Sequence, residues 1–189
     1  MDPAMSLNIL LGVTGSIAAH KAIDIASTLA KAGHCLTVIL TADAQRFVLP
    51  LPFQVLSRHP VITDLYDTEE GWKPAHIRLA DEADILLIAP ATANCLAKLA
   101  HGIADDALSC IALALRPEAR VFIAPAMNGN MWNHPATCSN LAILTARGVN
   151  LIAPESGLLS CGYEGVGRLA SVEKIVARIT ESIARPSSV

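Results

Sequence analysis

The stretch NILLGVTGSIAA occupies residues 8–19 and decides the fold. Its first six residues form a short apolar run that ends in small polar residues, and a segment with helical spacing follows. There Ala22, Ile25 and Leu29 continue a three-to-four residue period, and Gly33 provides a stop signal. The pattern predicts a buried strand that leads through a tight turn into an amphipathic helix.

The same alternation continues along the chain. The predicted strands lie at residues 8–13, 35–41, 85–89, 121–124 and 150–153. The predicted later helices lie at residues 94–101, 106–115 and 135–147, with a last helix that has Val172, Ile175, Val176, Ile179 and Ile183 on one face. Apolar strands alternating with helices indicate a parallel sheet covered on both faces. The predicted class is α/β: a doubly wound, Rossmann-like (flavodoxin-like) parallel sheet flanked by helices in a single domain.

Length and composition fit one compact domain in an oligomer. The chain has 189 residues, and we expect residues 5–185 to form the domain, residues 1–4 to be a cloning remnant and residues 186–189 to be a tail. Only 16% of residues are charged while 52% are apolar, which favours outer faces covered by other subunits.

Charge and cysteine content narrow the class of function. The net charge of −3 comes without a basic stripe, which argues against nucleic acid as a partner. No apolar run is long enough for a membrane span and no signal peptide is recognisable, so we expect a cytoplasmic protein. The five cysteines are widely spaced without a CxxC motif, and they predict neither a disulfide framework nor a metal site.

Two regions depart from the alternation, at residues 48–74 and 154–168. We expect both to be loops over a site, because ligands of open α/β sheets bind at the carboxyl ends of the strands.

The turn after the first strand, residues 12–19, is the first motif at such an end. Small residues there let a backbone approach a ligand, and the start of a helix offers N–H groups to a phosphate. The motif is neither GxGxxG nor GxxxxGK[ST], which disfavours a nicotinamide dinucleotide or a nucleoside triphosphate. A plain tight turn with Ser16 as helix N-cap explains the motif equally well.

Two further motifs follow later strands. PATAN at residues 90–94 could bind a planar ring or a phosphate, although a helix cap at Asn94 is the simpler interpretation. PAMNGNMW at residues 125–132 crowds amide and thioether side chains onto a loop. There Asn128 could hold a carboxylate through its amide donors, which we favour over a buried connection.

A glycine-rich segment and one histidine complete the candidates. LSCGYEGVGR at residues 159–168 carries the Cys161 thiol and the Arg168 guanidinium, and it is either a closing flap or an ordinary surface loop. His76 leads out of the first irregular region into a helical stretch. A lone histidine is more often a capping residue, but this is the one of six that we select for chemistry.

These segments together resemble the flavin-containing cysteine decarboxylases. The resemblance is ordered and nearly chain-long. It rests on GSIAAHK at residues 15–21, HI-x-L from His76, PATAN, K-x-A-x-G-x-A-D at residues 98–105, PAMNxxMW and CGYEGVGR.

The resemblance implies FMN as cofactor, bound between subunits of a homo-oligomer that is a trimer or a multiple of trimers, such as a dodecamer. It implies a small-molecule substrate, phosphopantothenoylcysteine, on the route to coenzyme A. The implied FMN-binding residues are Gly15, Ser16, Ile17, Thr41, Thr92, Ala93, Asn94, Cys95 and Ala126. The resemblance implies that Asn128 holds the substrate carboxylate and that His76 and Cys161 are the catalytic residues. We add Met131 and Arg168 as substrate-binding residues, because a thioether on the loop provides an apolar wall and a guanidinium can meet an anion.

In the implied reaction, the flavin oxidises the cysteinyl side chain to a thioaldehyde and carbon dioxide then leaves. The resulting enethiolate is protonated and reduced, with His76 as base in the oxidative half and Cys161 as proton donor in the second.

Three alternatives share parts of the pattern. A peptide cysteine decarboxylase of lantibiotic type would differ in the segment around Cys161. A flavin prenyltransferase resembles the chain less at residues 125–132. A non-enzymatic flavoprotein of halotolerance type would usually carry a long acidic tail.

Overall fold

The structure, a computed structural model, describes residues 6–66, 74–158, 162 and 164–184. Its main sheet has five parallel strands in the order β2-β1-β3-β4-β5. These strands are β1 (Asn8–Val13), β2 (Cys35–Leu40), β3 (Ile85–Ala91), β4 (Arg120–Pro125) and β5 (Asn150–Leu151). The order 2-1-3-4-5 is that of flavodoxin-like sheets, which confirms the predicted class.

Helices cover both faces of the sheet. They are α1 (Lys21–Lys31), α2 (Pro50–Ser57), α3 (Ala75–Glu82), α4 (Ala93–His101), α5 (Ala107–Ala114), α6 (Gly129–Trp132), α7 (Pro135–Ala146) and α8 (Val172–Ala184), with 3₁₀ turns at Ile17–His20 and Ala44–Arg46. One core cluster joins the sheet to α1, α2 and α8, and the other joins it to α3, α4, α5 and α7. Alternate residues of β1 enter opposite clusters, Ile9 in the first and Leu10 in the second, because successive strand side chains point to opposite faces.

Both regions expected to be loops contain regular structure. Residues 50–57 form α2, whose prolines occupy the first turn, where the backbone N–H groups have no intrahelical acceptor. Residues 155–168 include an antiparallel hairpin of β6 (Glu155–Leu158) and β7 (Glu164–Arg168). The expectation of loops was therefore wrong for these stretches.

The two ends of the described chain lie at the edge of the sheet where the strands begin. The Ser6 hydroxyl donates to the carbonyl of Gly33, just before β2. At the other end, Arg120 at the start of β4 donates to the carbonyl of Ser182 in α8. The carboxyl ends of the strands are thus left to the connecting loops.

None of the helices in the described ranges has both the length and the apolar character that crossing a membrane requires.

Candidate functional site

Thr14 joins the ends of β1 and β3, the strands between which the chain order reverses. Its hydroxyl donates to the carbonyl of Pro90 at 2.7 Å and accepts from the backbone N–H of Thr92 at 3.0 Å. The side chain is 2% exposed, so both bonds are shielded from water. The turns after the two strands are consequently fixed relative to each other, at the position where ligands of such sheets bind.

The main cavity opens beside these turns and has a volume of about 370 Å³. It is bounded by the turn after β1, the starts of α1 and α4, the loop after β4 and the hairpin. The described lining comprises Gly15, Ser16, Ile17, Ala18, His20, Lys21, Thr92, Ala93, Ala126, Met127, Asn128, Met131, Leu158, Gly167, Arg168 and Leu169. Its volume lies within the usual range for small-molecule sites.

Ser16 connects the first turn to the loop after β4. Its hydroxyl donates to the carbonyl of Ala126 at 3.3 Å and also accepts from the N–H of Ala18. The N-cap predicted at this position is therefore present, and the same side chain holds two walls of the cavity together.

The loop that carries Asn128 is held by the hairpin. The N–H of Met127 donates to the carbonyl of Gly167 at 3.0 Å, and the Asn128 Oδ1 accepts from the N–H of Asn130 at 2.8 Å to cap α6. Gly167 has φ +147°, and a Cβ there would lie 2.1 Å from the Met127 carbonyl oxygen. Only glycine fits this approach of β7 to the loop.

The side cavity adjoins the main one, shares Gly15 and Thr92 with it, and measures about 240 Å³. Thr41, Asn94 and Cys95 also line it, as does an ionic cluster. In that cluster the Lys98 ammonium lies 2.6 Å from Asp105 Oδ1 and 2.7 Å from Asp106 Oδ2. This group orders the loop between α4 and α5, because Asp106 is also the N-cap of α5.

The ionic cluster shifts the pKa of both of its main members. Burial alone would raise the pKa of Asp106, but hydrogen bonds from Lys98 and Ser109 outweigh it and hold the pKa below its ordinary value. Burial likewise disfavours the charged form of Lys98, yet its bonds to Asp105 and Asp106 raise its pKa. Both groups are therefore ionised at neutral pH.

Cys95 is a structural thiol in this setting. Burial, followed by the charge of Asp106, raises its pKa to about 12 in spite of the opposing charge of Lys98. A thiol of that pKa is neutral and unreactive at pH 7. The backbone N–H of Cys95 donates to the hydroxyl of Thr92, the cap of α4, at 3.3 Å.

The main cavity is electropositive. Lys21 and Arg168 line it, and no carboxylate belongs to the part of its lining that the structure describes. Neither cation has an ion pair or side-chain hydrogen bond with any of the described residues. Two unpaired cations in a concave site favour an anionic ligand.

The predicted site residues divide between the two cavities. Gly15, Ser16, Ile17, Thr92, Ala93, Ala126, Asn128, Met131 and Arg168 line the main cavity, and Gly15, Thr41, Thr92, Asn94 and Cys95 line the side cavity. The N-cap of α4 is Thr92, whereas a cap at Asn94 was expected.

The two predicted catalytic residues stand apart from this group. His76 is the second residue of α3, in the helical layer on the other side of the sheet from α1, and it belongs to the described lining of neither cavity. Its Nδ1 is buried and has no hydrogen-bond partner among the residues described. Cys161 lies outside the described residues.

Thr14 and Lys21 were missing from the predicted site. Thr14 bonds to residues 76 and 78 positions away, and no local pattern encodes such contacts. Lys21 ends the GSIAAHK motif, so its position beside that turn was the available signal.

An anion-binding cleft at the switch point of a flavodoxin-like sheet is the usual place for a flavin mononucleotide. In agreement with this geometry, the chain belongs to the flavoprotein family, whose model matches residues 2–184.

Two relatives show how the chain compares in sequence and length. A probable phosphopantothenoylcysteine decarboxylase of Streptococcus mutans is 45% identical over 179 residues, which is 95% of this chain and 100% of that protein. The coenzyme A biosynthesis bifunctional protein CoaBC of Bacillus subtilis is 47% identical over 181 residues, 96% of this chain. The chain spans only 44% of the length of that bifunctional protein.

Solved structures agree with the sequence relatives. A PPC decarboxylase mutant complexed with pantothenoylaminoethenethiol superposes with a TM-score of 0.87 at 30% identity, covering 96% of this chain and 100% of that one. The FMN-dependent cysteine decarboxylase SpaF superposes with a TM-score of 0.81 at 32% identity, covering 95% and 98%.

Proposed function

We propose that the protein is a cytoplasmic, homo-oligomeric enzyme that decarboxylates phosphopantothenoylcysteine with the help of FMN. The observation that carries the proposal is the convergence of motifs from separate strand ends on two adjoining cavities. The residues that line the two cavities fit a flavin nucleotide and an anionic substrate together. The relatives support the proposal through the reaction and cofactor in their names.

The described residues fit FMN. Gly15 has no side chain, and Ala93 and Ala126 have only a methyl group, where the strand ends face the main cavity, so a flat ring system can approach the backbone. The Thr41 and Thr92 hydroxyls in or beside the side cavity suit the polar part of the cofactor. FMN, when bound, supplies the two-electron oxidation of the substrate's cysteinyl side chain that labilises the carboxylate, and the reduction that follows.

The protein's own residues bind and orient the substrate. Asn128 is fixed as the cap of α6, and a side-chain amide can donate to the substrate carboxylate. Met131, which is 48% exposed, offers an apolar wall beside it, and Arg168 supplies a positive charge from β7. The resemblance assigns Asn128 to the substrate carboxylate, and Met131 and Arg168 were selected for their apolar and cationic side chains.

His76 and Cys161 move protons in this proposal. Cys161 donates to the product carbon after carbon dioxide has left, and His76 accepts the proton removed in the oxidative half. Because His76 is not in the described lining of either cavity of its own chain, we assign it to the cavity of a neighbouring copy. Exposed apolar side chains in the cavity lining support such contact, since Ile17 is 60% and Leu158 is 66% exposed.

The function is tested by incubating the FMN-reconstituted protein anaerobically with phosphopantothenoylcysteine and following the loss of carbon dioxide by mass spectrometry. We expect phosphopantetheine as product. A peptide that ends in cysteine serves as the competing substrate. Turnover of the peptide alone would refute the proposal and identify a peptide cysteine decarboxylase.

Sharing of the site between copies is tested by co-expression of two inactive variants with different tags. His76→Asn keeps an intact cavity, and Asn128→Asp keeps an intact histidine. If a neighbour supplies His76, mixed oligomers regain up to about a quarter of parental activity, because each half of a site is intact in half of the cases. If His76 serves its own chain, the mixture stays inactive.

A further inference from the structure

We infer that Lys21 is a specificity-determining residue, which binds the phosphate of the substrate and makes the enzyme prefer the phosphorylated compound. This inference rests on the proposed function. The ammonium of Lys21 has no ion pair with any of the described residues, and the side chain lines the cavity that contains all three substrate residues.

The backbone of Lys21 is fixed by hydrogen bonds at the start of α1. Lys21 is the first residue of α1, and its N–H donates to the carbonyls of Ala18 and Ala19 in the preceding 3₁₀ turn. The side chain is half-buried and lines the main cavity. Because no acidic partner is present among the residues described, a cost of desolvation falls on this charge until an anion arrives.

The location of Lys21 separates it from the cofactor residues of the side cavity. Thr41, Asn94 and Cys95, which are assigned to FMN, line that cavity. All three residues assigned to substrate, Asn128, Met131 and Arg168, line the main cavity, as Lys21 does. The main cavity also contains six of the residues assigned to FMN, namely Gly15, Ser16, Ile17, Thr92, Ala93 and Ala126. Lys21 is assigned to the substrate because it shares this cavity with all three substrate residues and lies outside the side cavity, where the remaining FMN residues lie.

The number of charges agrees with this assignment. The substrate carries a carboxylate, which is given to Asn128, and a phosphate at its other end. Lys21 and Arg168 are the unpaired cations of the described lining, on α1 and on β7. A phosphate dianion is matched by two cations, and a lysine contributes to it as a point charge with rotatable donors.

The test measures kcat/KM of the FMN-loaded parent and Lys21→Met with phosphopantothenoylcysteine and with its dephosphorylated analogue, pantothenoylcysteine. We expect the variant to lose roughly 10- to 100-fold on the phosphorylated substrate, the usual effect of one charged hydrogen bond. The rate on the analogue should change less than twofold. Lys21→Arg should keep most of the preference, since it keeps the charge.

Lys31→Met is the matched control. Lys31 ends the same helix, is exposed, and lies outside both cavities, so the variant changes net charge equally. Its preference between the two substrates should equal that of the parent. If Lys31→Met lost the preference for the phosphorylated substrate to a similar extent, the effect of Lys21→Met would be explained by long-range electrostatics. That result would overturn the inference.

A binding measurement distinguishes the phosphate of the substrate from that of the cofactor. Calorimetry compares phosphopantetheine with pantetheine on FMN-loaded protein, and flavin fluorescence gives the FMN dissociation constant. Weaker FMN binding with an unchanged phosphopantetheine preference would assign Lys21 to the cofactor and overturn the inference.

The same measurement separates failure of this inference from failure of the proposed function. A parent protein without decarboxylase activity refutes the function, yet a phosphopantetheine preference that Lys21→Met abolishes still supports the phosphate site. Equal binding of both compounds by the parent overturns the inference, whether or not the protein is active.

Discussion

Gly167→Ala is expected to displace the hairpin from the loop that carries Asn128. The added Cβ would lie 2.1 Å from the Met127 carbonyl oxygen, and real Cβ atoms essentially never approach closer than 3.0 Å. Since that oxygen belongs to the backbone, β7 and the loop must separate. The hydrogen bond from Met127 to Gly167 is lost with the separation.

The structure sets the size of the effect. A φ of +147° is nearly exclusive to glycine and costs alanine about 1–3 kcal/mol, and the hydrogen bond contributes about 1 kcal/mol. Together these destabilise the protein by about 3 kcal/mol, which lowers Tm by roughly 6–12 °C. A displacement of about 1 Å at a substrate-positioning loop lowers kcat/KM on the order of 100-fold.

The assay combines thermal unfolding, followed by circular dichroism, with the decarboxylase rate. Gly148→Ala is the control, because Gly148 has φ +86° but a Cβ there would meet nothing within 4 Å. It should lose about 1 kcal/mol of stability through the backbone alone and keep the parental rate. A Gly167→Ala enzyme with kcat/KM within about twofold of the parent would refute the argument from close approach.

Thr14→Val should cost about 1–3 kcal/mol and weaken FMN binding, because it leaves buried polar groups of the β1 and β3 turns without their partner, whereas the exposed Thr28→Val should stay within about 0.5 kcal/mol in the same denaturant titration. Lys98→Met should be destabilising chiefly between about pH 5 and pH 10, because the lowered pKa of Asp106 adds stability that is lost as pH falls, and the raised pKa of Lys98 adds stability that is lost at high pH. A difference between parent and variant that does not vary with pH would contradict this. Asn128→Asp should retain FMN but lose activity through repulsion of the substrate carboxylate, as measured by product formation at saturating flavin; full activity would show that Asn128 does not contact that group.

The alternation of strands and helices could be predicted from the sequence because it depends on the local periodicity of apolar residues. The run before Thr14 is apolar on both sides, as a central parallel strand must be, and the structure gives it a neighbour on each side. The helix at residues 50–57 was missed because Pro50 and Pro52 were interpreted as loop residues, although both lie in the first turn. The hairpin was missed because glycines interrupt its alternation at Gly157 and Gly165.

Residues that line the cavities could be selected from the sequence where a motif follows a strand, and were missed where contacts are long-range. Gly15, Thr92 and Ala126 fall at strand ends, so the common edge of a parallel sheet brings them together. The role of Thr14 depends on a hydrogen bond to Pro90, which requires the register of β1 against β3. The position of His76 on the other side of the sheet likewise follows from chain crossover and not from spacing along the sequence.

The bonds of Ser6 to Gly33 and of Arg120 to Ser182 have a practical consequence for handling the protein. They keep both ends of the described chain at the pole opposite the cavities. An affinity tag, a fluorescent reporter or a surface tether joined directly at Ser6 or Ala184, the ends of the described chain, would therefore start from the side of the sheet away from the cavities. Protein immobilised at these positions should consequently turn over at the rate of free protein, which makes surface-based binding assays feasible.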